Sequence, residues 1–220
     1  MMITHIALIW GLFLLFGVIH SLTAGFAPKE RLSAVLPARL VEGWYRLLYN
    51  VFSVITFSPV LIAVAVLPDS VIYAVPMPWS LLFRLAQLGG VAGLVGALFV
   101  TDVFRFAGIS QAVAYLSGAP LPLESGPLQV KGMYAVVRHP LYLFSLLAIW
   151  PTPTLTLNML LFNIGATLYF VVGSRIEERR LEKRFGDAYR AYRQQVPWLV
   201  PVPRPRRAGG HQSHEPRGVQ

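Results

Sequence analysis

The sequence contains no cysteine and few charged residues, and both shortages restrict what the protein can be. Without cysteine there is no disulfide framework, no thiolate nucleophile and no cysteine-ligated metal. Charged residues make up only 13% of the chain and hydrophobic residues 55%, whereas soluble proteins have about a quarter charged residues. This composition does not suit a water-soluble domain and predicts an integral membrane protein.

Acidic residues are scarcer than basic ones, and the basic residues are unevenly placed. The chain has 10 acidic and 19 basic residues, and four of the basic ones lie in 29–46, three in 101–140 and eleven in 174–220. The basic tail lacks the interleaved aromatic residues typical of RNA binding, so no nucleic-acid partner is expected. By the positive-inside rule, the three basic segments predict a cytoplasmic side at the inner (plasma) membrane, where they would face anionic lipids of the bilayer.

The apolar stretches predict an all-α, polytopic membrane fold with about five transmembrane helices. Three of them cover residues 3–24, 45–67 and 81–100. The apolar segment 141–173 is too long for one straight helix across a hydrocarbon core of about 30 Å. Pro151 and Pro153 interrupt it near its middle, which predicts a helical hairpin that returns to its starting side. This topology places the N-terminus outside and the C-terminus inside.

The remaining segments complete a single predicted domain. Residues 1–203 form the integral-membrane domain, and its catalytic part covers about 104–203. Residues 101–131 are too mixed in polarity to span and are predicted to lie at the membrane surface over the site. A basic amphipathic helix is predicted on the cytoplasmic side over about 174–195. The Pro-, Gly- and Arg-rich residues 204–220 cannot bury enough apolar surface to fold and are predicted to be a disordered basic tail.

Two smaller features bear on helix packing and connection. Gly89, Gly93 and Ala97 recur every four residues in the third apolar stretch, a spacing that lets a neighbouring helix approach closely. Residues 68–78 contain three prolines and no lysine or arginine. They are predicted to form a short turn on the face opposite to the basic segments.

Polar groups are concentrated at the two ends of the predicted hairpin. Arg138 and His139 stand directly before it, and Glu177 and Glu178 follow it. Because a hairpin returns to the side where it begins, both pairs are expected at one membrane surface. Taken singly, each group has a simpler explanation, such as an interfacial arginine or an acidic helix face paired with nearby basic residues. Together they predict a site.

These residues belong to a longer pattern that resembles the integral-membrane methyltransferases. It consists of Gly-x-Tyr-x-x-x-Arg-His-Pro-x-Tyr over 132–142, the hairpin, Glu-Glu-x-x-Leu over 177–181, and Phe-Gly-x-x-Tyr-x-x-Tyr over 185–192. The superfamily includes isoprenylcysteine carboxyl methyltransferase and the phospholipid N-methyltransferases. Residues 108–111 and 150–156 look most like its methanethiol S-methyltransferase and NnrU-like branches. One departure is Phe144, where relatives usually carry glycine, and its larger side chain could reshape a wall of the site.

The resemblance implies S-adenosylmethionine as cofactor and requires no metal. It implies that the cofactor is contacted by Tyr134, His139, Pro140, Tyr142, Glu177, Glu178 and Tyr189. Glu178 or Glu177 would hold its ammonium group and His139 its carboxylate. Arg138 and Glu178 are the expected catalytic residues, Arg138 by polarising or orienting the substrate.

The expected activity is methyl transfer to a small lipophilic or membrane-embedded acceptor, and no obligate protein partner is expected. A thiol is favoured, followed by a prenylcysteine carboxylate or a lipid amine. The alternative from another class is an NnrU-like accessory membrane protein without methyl transfer. Such a protein could handle haem, with His20 and His139 as the iron ligands.

Overall fold

The computed structural model describes residues 2–123 and 126–202, and this part of the chain is mostly helical, as predicted. The helices are α1 (Met2–Thr23), α2 (Phe26–Ser33), α3 (Ala38–Val66), α4 (Trp79–Val100), α5 (Val103–Ala107), α6 (Ile109–Leu116), α7 (Pro140–Ile149), α8 (Leu157–Phe185) and α9 (Asp187–Gln195). Two short strands, β1 (Val71–Ala74) and β2 (Thr154–Thr156), and a 3-10 turn at Gly132–Ala135 complete the fold. The predicted basic tail, 204–220, lies outside the described residues.

Within the described residues, four helices, α1, α3, α4 and α8, are long and apolar enough to cross a membrane. The prediction of a polytopic membrane fold is therefore confirmed. The first arm of the predicted hairpin is α7, an apolar helix of 10 residues. At 1.5 Å per residue it is about 15 Å long, roughly half of a hydrocarbon core. Residues 150–153 and β2 continue from its end to the start of α8.

A packed core joins three of the long helices. Ile9, Phe13 and Phe16 of α1 are buried against Val60 of α3 and Leu161 of α8, among others. The remaining spanning helix, α4, packs along α7 instead. One arm of the hairpin, α8, therefore packs with α1 and α3, and the other arm, α7, packs with α4. The two arms also contact each other.

Helix α3 passes through Pro59 without losing a hydrogen bond at the freed carbonyl. Proline has no N–H to donate to the carbonyl four residues earlier, which is Ile55. The Ser58 hydroxyl donates to that carbonyl instead, at 2.8 Å. This substitution explains how α3 extends unbroken to Val66. Helix α3 starts at Ala38, earlier than the predicted residue 45. Pro37 stands just before its first residue, where a proline does not interrupt the helix.

A two-stranded ribbon lies before the start of α8, at the end of this helix opposite Glu177 and Glu178. Strands β1 and β2 pair antiparallel, so residues predicted as a plain turn join the hairpin's tip. The Asp69 carboxylate accepts from the backbone N–H of Asn158 at 3.0 Å, at the start of α8. The buried Asn158 amide donates to the Leu67 carbonyl at 3.1 Å, at the end of α3. These side chains supply hydrogen-bond partners to backbone groups at the ends of α8 and α3, which lipid could not supply.

The segment after the hairpin differs from the prediction of a single helix over about 174–195. Helix α8 continues without interruption to Phe185, and α9 begins at Asp187. Between them Gly186 has a φ of +53°, which a residue with a side chain rarely adopts. The turn at Gly186 lets α9 fold back beside α8.

The connector predicted to lie over the site does so only in its later part. Helix α6 packs on α3 instead. Gly108, with a φ of +91°, is so close to α3 that an added Cβ would lie 2.4 Å from the Leu47 nitrogen. Leu128, further along the connector, does pack near the C-terminal helix, against the cluster around Tyr189.

Small residues of α4 admit α7 at close range, although not all of the predicted ones take part. A Cβ on Gly90 would lie 2.5 Å from the Ala148 nitrogen, and one on Gly93 would lie 2.2 Å from the Phe144 ring. A Cβ on Gly89 would have no neighbour within 4 Å. The Phe144 ring therefore occupies the space that Gly93 leaves in α4.

This difference between neighbouring glycines gives a matched test. We expect Gly93→Ala to lower the free energy of unfolding by about 1–3 kcal/mol, because the Phe144 ring must move to admit the methyl group. Gly89→Ala should leave stability unchanged or raise it by up to about 1 kcal/mol through helix propensity. Unfolding of the two variants in mixed detergent micelles measures the difference. Equal stabilities would show that the α4–α7 contact is not tightly packed.

Candidate functional site

The structure brings the residues before and after the hairpin into direct contact. Arg138 Nε donates to Glu178 Oε1 at 2.7 Å. The side chains are 7% and 13% exposed, so the pair is largely removed from solvent. The hairpin thus produces the convergence expected from its proline break.

Arg138 also holds the C-terminal helix in place. Its Nη1 atom donates to the Arg193 carbonyl at 3.0 Å and to the Val196 carbonyl at 2.8 Å, and its backbone N–H donates to the Pro197 carbonyl at 2.9 Å. Carbonyls at a helix C-terminus lack intrahelical partners and attract a cation. Arg138 therefore links the start of α7, the α8 carboxylate of Glu178 and the end of α9.

His139 lies between the two glutamates at the start of α7. Its Nε2 atom is 3.2 Å from Glu178 Oε1, and its Nδ1 atom is 3.5 Å from Glu177 Oε2. Burial lowers the pKa of His139, but hydrogen bonds and charge attraction from Glu177 and Glu178 outweigh it and raise the pKa above its usual value. Pro140 follows at the first helical position, where the missing N–H has no cost.

Three rings are stacked beside the more exposed carboxylate. The His139 and Tyr142 rings are 5.4 Å apart at 12°, and the Tyr142 and Phe170 rings are 5.0 Å apart at 15°. The Tyr142 hydroxyl donates to Glu177 Oε2 at 3.0 Å. The Glu177 side chain is 48% exposed, whereas Glu178 is 13% exposed. Of the two glutamates, Glu177 is the one open to a ligand.

A glycine widens the space next to these rings. Gly173 lies on α8 between Phe170 and Glu177, one turn from each. A Cβ at Gly173 would meet only the Tyr142 hydroxyl oxygen, at 3.9 Å. The site therefore presents an aromatic surface, a hydroxyl and an accessible carboxylate around an open helix face.

The tyrosines of the C-terminal motif are buried behind the Arg138–Glu178 pair. Tyr189 is 0% exposed, and within the described residues its hydroxyl has no partner in hydrogen-bonding geometry. Burial and the nearby Glu178 carboxylate raise the pKa of Tyr189. The Tyr192 hydroxyl donates to the Tyr134 carbonyl at 2.6 Å, and the Tyr134 hydroxyl is 3.5 Å from Thr101 Oγ1. These contacts join α9 to the turn before α7 and to the end of α4.

Sequence reasoning singled out His20 but missed the two tyrosines that contact it. The Tyr49 hydroxyl is 2.5 Å from His20 Nε2, and the Tyr169 hydroxyl is 2.7 Å from His20 Nδ1. We call these three residues, from α3, α1 and α8, the Tyr-His-Tyr cluster. The position of His20 near the end of an apolar stretch was the only sequence signal, since nothing marked its partners.

The geometry also bears on the haem alternative. Both ring nitrogens of His20 are engaged by tyrosines, and both ring nitrogens of His139 face glutamates. An iron atom would have to displace one of these partners at each histidine. In the described part of the chain, no group of three or more His, Cys, Asp or Glu residues is placed to hold a metal ion.

Comparison with known proteins identifies the family. Residues 1–196 match the family described as "Protein of unknown function (DUF1295)". Methanethiol S-methyltransferase of Pseudomonas deceptionensis is 33% identical over 190 residues, covering 85% of this chain and 69% of the relative. Methanethiol S-methyltransferase of Mycobacterium tuberculosis is 33% identical over 188 residues, covering 86% and 75%.

A relative with a different name matches a shorter stretch. Nurim of Xenopus laevis is 31% identical over 119 residues, covering 49% of this chain and 42% of that protein. No solved structure gives a significant match. Because residues 1–196 match the family and two methanethiol S-methyltransferases align over most of the chain, the chain belongs to the DUF1295 family, within the integral-membrane methyltransferase-like superfamily.

Proposed function

We propose that the protein is a membrane methyltransferase that transfers a methyl group from S-adenosylmethionine to a small lipophilic thiol. The observation that carries this proposal is the convergence of Glu177, His139 and Tyr142 at one end of the hairpin, beside an open face of α8. Relatives named methanethiol S-methyltransferase, aligned over about 85% of the chain, support methyl transfer and favour a thiol over a carboxylate or an amine as the acceptor.

The residues present suit the cofactor's chemistry. S-adenosylmethionine carries an ammonium group, a carboxylate and an adenine, and it supplies an electrophilic methyl group on a sulfonium. Glu177 offers an accessible carboxylate for the ammonium group. His139, which its neighbours favour in the charged form, would offer its Nδ1–H to the carboxylate once Glu177, 3.5 Å away, turns to the ammonium group. The rings of Tyr142 and Phe170 offer an apolar surface for the adenine.

Glu178 and Arg138 act differently in this proposal. One Glu178 oxygen already accepts from Arg138 and lies within 3.2 Å of His139, and the pair is largely buried. We therefore assign the ammonium group to Glu177, and to Glu178 and Arg138 the task of holding His139 and α9 in position. With donor and acceptor aligned and water excluded, the transfer needs little further from the protein.

An acceptor screen tests the proposal. Membranes containing the protein, incubated with methyl-radiolabelled S-adenosylmethionine, should transfer label to 1-butanethiol. Acetyl-farnesylcysteine and phosphatidylethanolamine serve as the carboxylate and amine alternatives. Membranes without the protein provide the background, and the Glu182→Gln variant should remain active, because among the described residues Glu182 pairs with Arg190 and Arg193 of α9, away from Glu177 and His139. Transfer only to phosphatidylethanolamine or farnesylcysteine would overturn the thiol, and transfer to none would overturn the activity.

We further propose that the site faces the cytoplasm of the cell, as the basic segments predict. The β ribbon and the α8–α9 turn lie near opposite ends of α8, so single cysteines at Ser70 and Asp187 report on opposite sides. Both positions are exposed and the chain has no other cysteine. In intact cells, we expect a membrane-impermeant maleimide to label position 70 and not position 187. The reverse pattern would invert the orientation.

A further inference from the structure

The Tyr-His-Tyr cluster adjoins the proposed cofactor site through consecutive residues of α8. Tyr169, which contacts His20, directly precedes Phe170, which stacks on Tyr142. The Tyr169 and Phe170 rings are themselves in contact at 6.1 Å. The cluster is therefore adjacent, through Tyr169 and Phe170, to the aromatic surface of the proposed cofactor site.

The hydrogen bonds of the cluster are not needed to hold α1 and α3 together. The Tyr45 hydroxyl already ties α3 to the end of α1 by donating to the Thr23 carbonyl at 2.7 Å. Three polar side chains in apolar helices carry a cost, and an ionisable residue within a membrane-spanning helix usually serves function. His20 has aromatic contacts with Phe16, Tyr49 and Tyr169, at ring distances of 5.2–5.7 Å.

A thiol acceptor requires a base that removes its proton. A free cysteine thiol has a pKa of about 8.5, so a similar thiol is mostly protonated at neutral pH. The thiolate is the stronger nucleophile. Of the two carboxylates at the proposed cofactor site, Glu177 is assigned to the ammonium group and Glu178 is engaged by Arg138 and His139.

We propose that the Tyr-His-Tyr cluster accepts the proton of the thiol acceptor, an inference that rests on the proposed function. In the tautomer required, His20 Nε2–H donates to Tyr49 and the Tyr169 hydroxyl donates to His20 Nδ1. No other side chain in the described structure donates to the Tyr169 oxygen, which is thus available to the thiol.

The proton then moves in two linked transfers. The thiol proton passes to the Tyr169 oxygen while the Tyr169 hydroxyl proton passes to His20 Nδ1, leaving a thiolate, a neutral tyrosine and an imidazolium. The thiolate sulfur forms a bond to the methyl carbon as the bond from that carbon to the sulfonium breaks. The products are a thioether and S-adenosylhomocysteine, and the imidazolium returns its proton to solvent.

The test compares two thiols that differ in their need for a base. 1-Butanethiol is protonated at neutral pH, whereas 4-nitrothiophenol is already a thiolate. For His20→Gln and for Tyr169→Phe, we expect methyl transfer to 1-butanethiol to fall by about 100-fold or more, the range of general base catalysis. Transfer to 4-nitrothiophenol and the affinity for S-adenosylmethionine by calorimetry should stay close to wild type. Tyr45→Phe, which removes a similar interhelical hydrogen bond away from His20, should leave both rates nearly unchanged.

The outcomes separate this inference from the function on which it rests. Equal losses with the two thiols in both variants would show that the cluster only positions helices, and would overturn the inference while the activity stands. Wild-type protein that methylates neither thiol would instead overturn the proposed function, and the inference with it. Should His20→Gln fail to fold, the smaller change Tyr169→Phe still decides between proton transfer and packing.

Discussion

Replacing Glu178 with glutamine is expected to lower the free energy of unfolding by about 3 kcal/mol or more, the cost of breaking a buried ion pair. The change keeps the shape but removes the charge that compensates Arg138, whose side chain is 7% exposed. Arg138 also holds the carbonyls of Arg193 and Val196, so the end of α9 should loosen with it. Unfolding in mixed detergent micelles measures the loss, and proteolysis within α9 reports its release.

Glu182→Gln is the matched control for this prediction. Glu182 lies one helical turn further along α8 and pairs with Arg193 at 3.0 Å and Arg190 at 3.5 Å. Its side chain is 30% exposed and both arginines are more so, so Glu182→Gln should cost much less stability than Glu178→Gln. If Glu178→Gln were as stable as Glu182→Gln, the Arg138–Glu178 pair would not be what holds α9.

Glu177→Gln should have the opposite profile, with little change in stability and weaker cofactor binding. A hydrogen bond assisted by charge contributes roughly 1.5–3 kcal/mol, which corresponds to about a tenfold or greater loss in affinity for S-adenosylmethionine. Stability should hold because the Glu177 side chain is 48% exposed and a glutamine can still accept from Tyr142. Calorimetry in detergent gives the affinity and micelle unfolding the stability.

Comparison with Glu178 and Glu182 makes the assignment decisive. If Glu177→Gln and Glu182→Gln bind S-adenosylmethionine equally well, Glu177 does not hold the ammonium group. If only Glu178→Gln loses affinity at temperatures where it remains folded, the ammonium group belongs to Glu178. In that case the buried pair with Arg138 would have to open when the cofactor binds.

The sequence was sufficient to predict the hairpin and the convergence at its ends, for a physical reason. The apolar segment 141–173 is too long to cross a membrane once, and Pro151 and Pro153 break it where a turn is needed. Arg138 and Glu178 must then lie at one end, and they do, 2.7 Å apart. The sequence could not reveal that Arg138 also binds carbonyls of α9, because any residue supplies the same backbone acceptor.

The partners of His20 were hidden for a different reason. Helix α1 is apolar on every side, so no polar face shows which of its neighbours a given residue meets. Tyr49 and Tyr169 lie far from His20 in the chain and in no recognisable spacing. The full length of α8 was hidden as well, because residues 174–185 change from apolar to charged while keeping high helix propensity.

Phe144 shows how a single unusual residue is explained only by its neighbour. This residue was the departure from the methyltransferase resemblance, and its larger side chain was expected to reshape a wall of the site. Its ring fits against Gly93 of α4. The small and the large residue are therefore placed on opposite helices, and the stripe of small residues in α4 could not have identified which α7 side chain it admits.

The hydrogen bonds from Arg138 to the end of α9 determine when the site can form during protein synthesis. A chain is synthesised from its N-terminus, so Arg138 and α7 leave the ribosome well before the carbonyls of Val196 and Pro197 exist. Until then the guanidinium lacks two of its partners, the carbonyls of Arg193 and Val196, and the Arg138 backbone N–H lacks the Pro197 carbonyl. The membrane helices can insert in sequence during translation, but the site can close only after residue 197 has emerged. A product that stops short of this point would retain its spans and lose its site.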